Sequence, residues 1–481
     1  MVRLTTLLFL CLLVPALGVA EPYLASESRQ VRHDVQTLAD AGALNRPTTT
    51  WPLPTGALAE LRQLSIEDQP GYVLLARERV LAAADAQGAG IRLRASENPS
   101  PRTHFGDQAI NNAEARVTYG FSGERFGGRL QGNLTDDRQQ GTDLTLDGSY
   151  GAVRLGNWLL SAGAQDRWWG PGWEGSLILG DNPRPVPAIA LERNDPRPSE
   201  LPVLRWLGPW NLTSFFGQLE SNRDDAARPK FFGFRLVFQP LEGLEVGLSR
   251  TAQWGGEGRP ENLSSLWATL VGQSNRGDRN DLLGGDANQF GGYDFRWRSP
   301  FGDNAPYAIY GQLIGIDEAG GTPYQFIGLA GTEYWRPVGH GLLRLNLEVA
   351  DTEVEFYSDN PRGSRAYLHS FYTDGYRHRG RVMGHTLDGN GRMISLGAQY
   401  SQSDGGYWHG LLRHTEQNRN GGDNRATGVE EQAKIIGAEL THSLPWQQHR
   451  VSLTLGADFV NEDIQGRDTI GRISASYSYQ F

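Results

Sequence analysis

The segment Ile473-Ser-Ala-Ser-Tyr-Ser-Tyr-Gln-Phe481 alternates apolar or aromatic residues with serine and glutamine. Every second side chain from Ile473 to Phe481 shares one face of an extended chain, because successive side chains of a β-strand point to opposite sides. The segment is therefore predicted to be a β-strand with one apolar face and one polar face.

The same two-residue period recurs along most of the chain after about Ile91. Three stretches show it most clearly, at residues 232–239, 343–349 and 451–459. The last is close to the roughly 9 to 11 residues that a tilted strand needs to cross a bilayer. Periodicity alone does not say whether the apolar face meets lipid or a soluble core, because a soluble sandwich alternates in the same way.

The last strand favours lipid. It resembles the C-terminal strand that outer-membrane barrels present to the barrel assembly machinery. Tyr477, Tyr479 and Phe481 are predicted to form this assembly signal and part of an aromatic girdle at the membrane interface. The fold class is therefore predicted to be an all-β, antiparallel transmembrane barrel in a bacterial outer membrane, with lipid around it.

The first residues predict export. Arg3 precedes an apolar run from Leu7 to Val14, and Gly18-Val-Ala20 offers small residues for cleavage, so residues 1–20 are predicted to be a signal peptide. The single cysteine, Cys11, lies in this run and would be removed with it. No later stretch reaches the roughly 18 apolar residues of a spanning helix.

Residues 21–95 are predicted to form a small α-helical bundle on the periplasmic side. Apolar residues recur at helical spacing in three places, around Val35, around Leu58 and around Val80. Residues 96–481 are predicted to form the barrel, with about 18 strands at roughly 20 to 22 residues per strand and connection. A barrel of that size leaves room inside, so the polar connections 274–292, 358–365 and 415–431 are predicted to fold inward as plugs.

The charge balance limits the range of partners. With 45 basic against 55 acidic residues and a net charge of -10, the chain is not expected to bind nucleic acid. All basic residues except Lys230 and Lys434 are arginine, whose planar guanidinium suits carboxylate or sulfate. The alternative is a GC-rich codon bias, which explains most of this excess of arginine over lysine.

Several segments resemble the Wzi family of capsule-assembly outer-membrane proteins: Asp166 to Pro187, Ser249 to Pro260, Tyr376 to His385, Leu38 to Leu44 and Thr50 to Leu53. The resemblance implies an 18-stranded barrel that carries a helical bundle at its periplasmic end. It also implies a lectin that holds capsular or exopolysaccharide at the cell surface. It supplies no residue-level sugar site.

Local chemistry proposes a sugar site in the first of these segments. Trp168, Trp169 and Trp173 offer flat faces for sugar C–H groups. Side chains that donate to hydroxyls or uronate carboxylates lie beside them, namely Arg167, Asn182 and Arg184. The alternative is that these tryptophans belong to the aromatic girdle or fill an inward-folded loop.

A second candidate site combines Trp254 with Glu257 and Arg259 in a glycine-rich loop. Here the alternative is a loop that narrows the barrel and binds nothing.

Catalysis finds little support in the sequence. The patterns G-x-S-x-G, H-E-x-x-H and G-K-[ST] are absent, and the ten histidines form no spaced metal set. We expect no enzyme activity, cofactor or metal. A porin for small solutes is the second interpretation, and a hydrolase that assembles Ser370 with His369 or His414 is the third.

Overall fold

The computed structural model describes residues 21–481 except 68, 107, 138–140, 271–286, 303–304, 320–321, 360, 362–365, 420–431 and 464–465. The predicted signal peptide lies outside these residues. So do large parts of the three connections that were predicted to fold inward.

The described residues form one closed antiparallel barrel. One strand, β4, is broken at residues 146–149, and both of its parts pair with β3. Counted in this way, the barrel has eighteen strands. They are β1 Gly88–Glu97, β2 Ala113–Ser122, β3 Phe126–Asp137, β4 Gly141–Thr145 and Tyr150–Leu155, β5 Trp158–Gly163, β6 Ala188–Arg193, β7 Trp210–Gln218, β8 Lys230–Leu241 and β9 Leu244–Trp254. The second half consists of β10 Asn288–Arg298, β11 Tyr307–Ala319, β12 Thr322–Val338, β13 Gly341–Asp351, β14 Gly391–Ser401, β15 Tyr407–Gln417, β16 Ala433–Trp446, β17 His449–Glu462 and β18 Gly466–Gln480.

The barrel closes by pairing its last strand with its first. In this register Tyr479 lies opposite Ile91, and Ile473 lies opposite Glu97. Because β1 begins at Gly88, the predicted domain boundary between residues 95 and 96 falls inside a strand and is wrong by about one strand length. The change to a two-residue period at about Ile91 lies closer to the observed start of the barrel than the predicted boundary does.

The barrel has its polar face inside. On β13, Arg344, Asn346 and Glu348 are at most 1% exposed, whereas Leu347 and Val349 are 46% and 40% exposed. A soluble protein would show the reverse. The exposed apolar face is the one that meets lipid in a transmembrane barrel, so the predicted outer-membrane fold is confirmed at this level.

The two ends of the barrel differ. The connections 156–157, 242–243, 339–340 and 447–448 are tight turns, and we call their side the short-turn end. The connections 164–187, 219–229 and 352–390 lie at the opposite side, the long-loop end. Exposed aromatic side chains lie near the short-turn end, as a membrane-interface girdle would. They include Trp297, Phe301, Tyr334, Trp446 and Phe481.

Within the described ranges, three α-helices accompany the strands: α1 Arg29–Asp40, α2 Gly71–Asp85 and α3 Leu263–Leu270. No helix among the described residues is long and apolar enough to cross a membrane. Two 3-10 helices span Thr55–Arg62 and Pro202–Leu207. The segment around Leu58, predicted as an α-helix, is the first of these. It is only eight residues long and contains Gly56, so it lacks the length that makes α-helices cooperative.

The N-terminal helices share one apolar cluster. Ser28 caps α1 by accepting the N–H of Val31 at 3.2 Å, which starts the helix with Val35 and Leu38 on one face. These residues pack against apolar residues of the 3-10 helix and of α2, including Leu58, Leu61, Val73, Ala76 and Val80.

The opposite face of α1 contacts the barrel wall. Asp40 forms ion pairs with Arg296 of β10 at 2.9 Å and with Arg344 of β13 at 2.8 Å. Glu245 of β9 accepts the backbone N–H groups of Thr48 at 2.9 Å and Thr49 at 2.8 Å. Helix α1 therefore lies within the ring of strands at the short-turn end, and α2 packs on it from outside.

Candidate functional site

The connection between β5 and β6, residues 164–187, folds into the barrel. Trp168 and Trp169 pair with Trp51 and Thr50 as a two-stranded antiparallel sheet. The N–H of Trp169 donates to the carbonyl of Leu179 at 3.0 Å, which turns the loop back on itself. We call residues 164–187 the plug loop.

The three tryptophans of the plug loop are buried. Trp168, Trp169 and Trp173 are 2%, 0% and 1% exposed. Trp168 meets Phe105 edge to face with ring centres 5.3 Å apart, and Trp169 packs on Phe215 at 5.5 Å. This burial leaves none of the three rings with a face open to a ligand, which disfavours the predicted direct contact between these tryptophans and a sugar. They fill the lumen, which agrees with the alternative interpretation of this segment.

A buried arginine joins α1 to the plug loop. The guanidinium of Arg32 lies 4.3 Å from the ring centre of Trp173 and 4.4 Å from that of Phe105. It donates to the carbonyls of Gly172 at 2.8 Å and Pro171 at 2.7 Å. Burial lowers the pKa of Arg32 to about 10, so the group still carries its charge at neutral pH. Ring faces and carbonyl oxygens stabilise this charge.

Barrel side chains hold the plug loop from the other side. Glu348 accepts the N–H of Trp173 at 2.8 Å and the hydroxyl of Tyr310 at 3.0 Å. Gln312 accepts the N–H of Leu177 at 2.7 Å and donates to the carbonyl of Trp169 at 2.9 Å. The backbone of the loop thus obtains hydrogen bonds that water would otherwise supply.

Glu174 of the plug loop pairs with Arg29 of α1 at 2.5 Å. Burial opposes ionisation of this carboxyl, but the charge and hydrogen bond of Arg29 outweigh burial and hold the pKa of Glu174 below its usual value. The pair therefore stays ionised at neutral pH, and it links α1 to the loop.

The connection between β13 and β14, residues 352–390, covers the plug loop. The hydroxyl of Tyr367 donates to the carbonyl of Leu177 at 2.8 Å, and that of Tyr376 contacts the carbonyl of Ile178 at 3.0 Å. His385 packs directly on Gly175, where a Cβ would overlap the imidazole ring. Only glycine fits at position 175.

The polar partners predicted for the tryptophans are separated by the fold. Arg167 is buried, with its guanidinium 4.5 Å from the ring centre of Phe215. Asn182 is also buried and donates to the carbonyl of Val382 at 2.9 Å. Arg184 lines an open cavity, where it pairs with Asp147 at 2.5 Å. Arg167 and Asn182 therefore contribute to packing. Of these three residues, only Arg184 faces a cavity that a solute can enter.

The second predicted site is partly exposed. Trp254 is buried and donates to the hydroxyl of Ser265 at 3.1 Å, so it supports the base of α3. Glu257 is 71% exposed. The guanidinium of Arg259 lies 4.5 Å from the ring centre of Tyr372 and 5.4 Å from that of Phe371, which is 47% exposed. The structure thus pairs Arg259 with an exposed aromatic ring that no sequence pattern indicated.

Two of the cavities within the described part of the chain lie beside the plug loop and α1. The loop-side chamber has a volume of about 610 Å³, and its lining includes Asp143, Asp147, Arg184, Glu220, Arg379 and Arg381. The helix-side chamber has a volume of about 570 Å³, and its lining includes Arg79, Arg94, His409, Arg450, Arg472 and Ser476. Both chambers touch Glu27, Gly106 and Gln108, which stand between them.

One group among the described residues has the spacing of a metal site. The ligand atoms of His104, His409 and Glu439 lie within 4.8 Å of one another. Arg29 contacts Nδ1 of His104 at 3.1 Å, and Arg413 lies 3.7 Å from Glu439. Because both cations compete for the same electron pairs, the group fits an arginine-histidine-carboxylate network better than a metal ion.

The two histidines considered for a hydrolase have different surroundings. Nδ1 of His369 accepts the backbone N–H groups of Phe371 and Tyr372, each at 3.2 Å. His414 lies on β15 with its side chain 45% exposed, 3.8 Å from Glu416. The structure therefore places the two histidines on separate elements.

The residues that hold the plug could not be recognised from sequence patterns. Arg32, Gln312 and Glu348 stand in the sequence as ordinary polar positions on a helix or an alternating strand. The only available signal was the inward row Arg344, Asn346 and Glu348, since charged residues on the lumen side need a partner there.

Comparison with known proteins agrees with this architecture. A family profile described as capsule assembly protein Wzi matches residues 83–468. An uncharacterized 55.8 kDa protein in the cps region of Klebsiella pneumoniae is 32% identical over 352 residues, which cover 71% of this chain and 68% of the relative. The solved structure of Wzi from Escherichia coli superposes with a TM-score of 0.83 at 28% identity, covering 95% of this chain and 99% of that one. That protein is described as an outer-membrane protein involved in group 1 capsule assembly and as a carbohydrate-binding β-barrel. The chain therefore belongs to the Wzi family of capsule-assembly outer-membrane proteins.

Proposed function

We propose that this protein is a non-enzymatic outer-membrane lectin that binds capsular or exopolysaccharide and anchors it at the cell surface during capsule assembly. The observation that carries the proposal is the filled lumen: α1 and the plug loop occupy the interior and are held to the wall by ion pairs and hydrogen bonds. A filled barrel is poorly suited to bulk diffusion, which argues against a wide porin. The similarity to the carbohydrate-binding barrel from Escherichia coli also supports a lectin function.

The orientation forms part of the proposal. Outer-membrane barrels have short periplasmic turns and longer extracellular loops. The long-loop end would then face the outside, and the helical segment at the short-turn end would be a periplasmic bundle. Because the sequence contains a single cysteine, Cys11, new cysteines can report on each side separately.

We expect a membrane-impermeant maleimide to label an Asp224→Cys variant on intact cells and to spare a Ser65→Cys variant. Both positions are exposed, Asp224 at the long-loop end and Ser65 beside α2. Permeabilising the outer membrane should make the Ser65→Cys variant reactive, which is the control for accessibility. Labelling of the Ser65→Cys variant on intact cells would refute the orientation.

The exposed contact for a polymer is proposed to be Arg259 with Phe371. A flat ring packs on sugar C–H groups, and a guanidinium donates charge-assisted hydrogen bonds to carboxylates or hydroxyls. In this protein the two groups are already held together, because Arg259 donates to the carbonyl of Phe371 at 2.9 Å. One such contact is weak. Many copies of the barrel along one polymer would hold it by multivalency, without any turnover.

We expect the double variant Arg259→Ala/Phe371→Ala to release polymer from the cell surface into the medium while total polymer stays constant. Loss of about 1 to 2 kcal/mol per site would weaken each contact about 5- to 30-fold. Cell-bound and free polymer would be quantified after gentle washing.

The control is Phe301→Ala, which removes another exposed phenylalanine, 67% exposed against 47% for Phe371, at the short-turn end. This variant should retain polymer as the parent protein does. Polymer retention at the parent level in the double variant would show that Arg259 and Phe371 do not bind it. Shortening of the polymer by purified protein would replace the lectin proposal with a hydrolase.

A further inference from the structure

The helix-side chamber differs in charge from its neighbour. Its lining contains six arginines and three carboxylates: Arg29, Arg79, Arg92, Arg94, Arg450 and Arg472 against Glu27, Asp34 and Glu439. The loop-side chamber has the opposite balance, with five arginines and eight carboxylates: Arg116, Arg184, Arg377, Arg379 and Arg381 against Glu27, Glu114, Asp143, Asp147, Asp166, Asp181, Glu220 and Asp374. An anion inside the barrel would therefore be attracted to the helix-side chamber.

Some of these arginines are already neutralised by protein carboxylates. Arg79 binds both oxygens of Asp34, each at 2.7 Å, and Arg29 binds Glu174 at 2.5 Å. These carboxylates largely neutralise the two charges, so the positive excess of the chamber must come from its other arginines.

Arg450 is one source of this excess. Its guanidinium donates to the amide oxygen of Gln30 at 3.0 Å and to the hydroxyl of Ser443 at 3.1 Å, and both partners are uncharged. Among the described residues, no carboxylate forms an ion pair with it. A half-buried guanidinium without a counter-charge has unused capacity for an anion.

Arg472 is the other source. It lies 2.5 Å from Asp458, but the same carboxylate oxygen also contacts Arg102. One carboxylate thus serves two guanidinium groups and leaves a net positive charge. In addition, Nε of Arg472 is buried and has no hydrogen-bond partner within the described part of the chain.

The remainder of the wall presents hydroxyl groups. Alternate inward positions of β17 and β18 place serine and threonine along the chamber, namely Ser452, Thr454, Ser474, Ser476 and Ser478. Buried side chains of Tyr407 and Phe105 complete the lining. The volume of about 570 Å³ falls within the range of small-molecule sites, roughly 300 to 1,000 Å³.

We propose that the helix-side chamber binds a hexuronate, with Arg450 contacting the carboxylate and the hydroxyl ladder of β17 and β18 contacting the sugar hydroxyls. Arg472 lies opposite Gly456, six positions along β17 from Arg450, and adds positive charge without touching the same carboxylate. A carboxylate supplies the missing counter-charge, and the sugar ring matches a wall that is rich in donors and acceptors. The proposal rests on the lectin function, since it names an acidic sugar as the ligand class. The ligand has two possible sources, a free sugar acid or a uronate residue within a polymer.

Calorimetric titration of the purified full-length barrel in detergent tests this site. We expect D-glucuronate to bind at least about tenfold more tightly than D-glucose, which has the same ring shape but no carboxylate, because a charge-assisted hydrogen bond contributes about 1.5 kcal/mol or more. Binding should weaken as salt is raised. A soluble polyglucuronate forms a second arm. Binding of the monomer alone indicates a free sugar acid, and binding of both indicates a uronate residue of the polymer.

The variant Arg450→Gln should reduce glucuronate affinity about tenfold or more, and Arg450→Lys should restore part of it. Arg472→Gln should reduce the affinity less, because Arg472 acts only through its charge. Arg336→Gln removes an exposed arginine of β12 outside the chamber and should have no effect. Heat-dependent migration of each variant in electrophoresis checks that the barrel has folded. Equal affinity for glucose and glucuronate, or unchanged glucuronate binding in the folded Arg450→Gln variant, would overturn the site. The titration does not use cell-bound polymer, so its failure is distinguishable from failure of the anchoring function.

Discussion

Replacing Asp40 with alanine is expected to detach the end of α1 from the barrel wall and to raise the ion conductance of the protein. Asp40 bridges Arg296 and Arg344, and its side chain is only 2% exposed. Without it, both guanidinium groups must share Glu333, which already contacts them at 2.9 and 2.5 Å. Breaking a buried ion pair by removing one partner costs about 3 to 5 kcal/mol, because a charge is left in a dry environment.

Two measurements test the effect of Asp40→Ala. Single-channel recordings in planar bilayers should show low conductance for the parent protein and larger, more variable openings for Asp40→Ala. The temperature at which the folded barrel converts to its unfolded electrophoretic form should fall. Parent-like conductance together with parent-like thermal stability would mean that α1 does not depend on this network.

Asp85 provides the matched control. It pairs with Arg62 at 2.5 Å, but the two side chains are 45% and 47% exposed. An exposed pair of this kind contributes about 0 to 1 kcal/mol. We therefore expect Asp85→Ala to leave both conductance and thermal stability nearly unchanged. Like Asp40→Ala, it removes an aspartate from the last position of an N-terminal helix, here α2.

Deleting Phe481 is expected to leave little folded barrel in the outer membrane. Phe481 extends the closing strand, since its N–H donates to the carbonyl of Ala89 at 2.9 Å. Its ring packs edge to face on Tyr479 with centres 4.7 Å apart and is 65% exposed at the girdle. The deletion thus weakens the β18–β1 seam, and it also removes the terminal aromatic that the barrel assembly machinery is predicted to recognise.

Outer-membrane fractions separated by semi-native electrophoresis would measure the amount of folded barrel. Phe481→Tyr keeps an aromatic ring and the strand hydrogen bond, so it should assemble normally and serves as the control. Normal levels of heat-modifiable barrel in the deletion strain would show that Phe481 contributes to neither assembly nor closure.

The strands of the barrel were predictable because the alternation of apolar and polar residues is a local property of the sequence. Leu347 and Val349 alternate with Glu348 in the sequence, and the structure places them on opposite faces of β13 as expected. The helical spacing around Val35 and Val80 likewise predicted helices where α1 and α2 are observed. Each of these features depends on residues only a few positions apart.

The candidate sites were not predictable in the same way. Trp168 and Trp173 have the composition of a sugar site, and the sequence does not show that Phe105 and Arg32 cover them. Arg259, also selected from the sequence as a candidate site residue, is partly exposed, and its ring partner Phe371 lies 112 positions away. Residue type indicates which chemistry is available, whereas burial depends on contacts between distant segments.

Local spacing in the chain was enough to specify the alternating strands and the helical N-terminal segment. The C-terminal strand ending in Phe481, which resembles that of outer-membrane barrels, indicated that the apolar faces meet lipid. Three features became visible only in the folded molecule: the plug loop fills the lumen, α1 lies inside the strands, and Arg450 and Arg472 line a chamber with too few carboxylates. They depend on folding because a loop or a buried charge is placed by the partners that satisfy its hydrogen bonds and ion pairs. In this barrel such partners are distant in the chain, as Glu348 is from Trp173, 175 positions away.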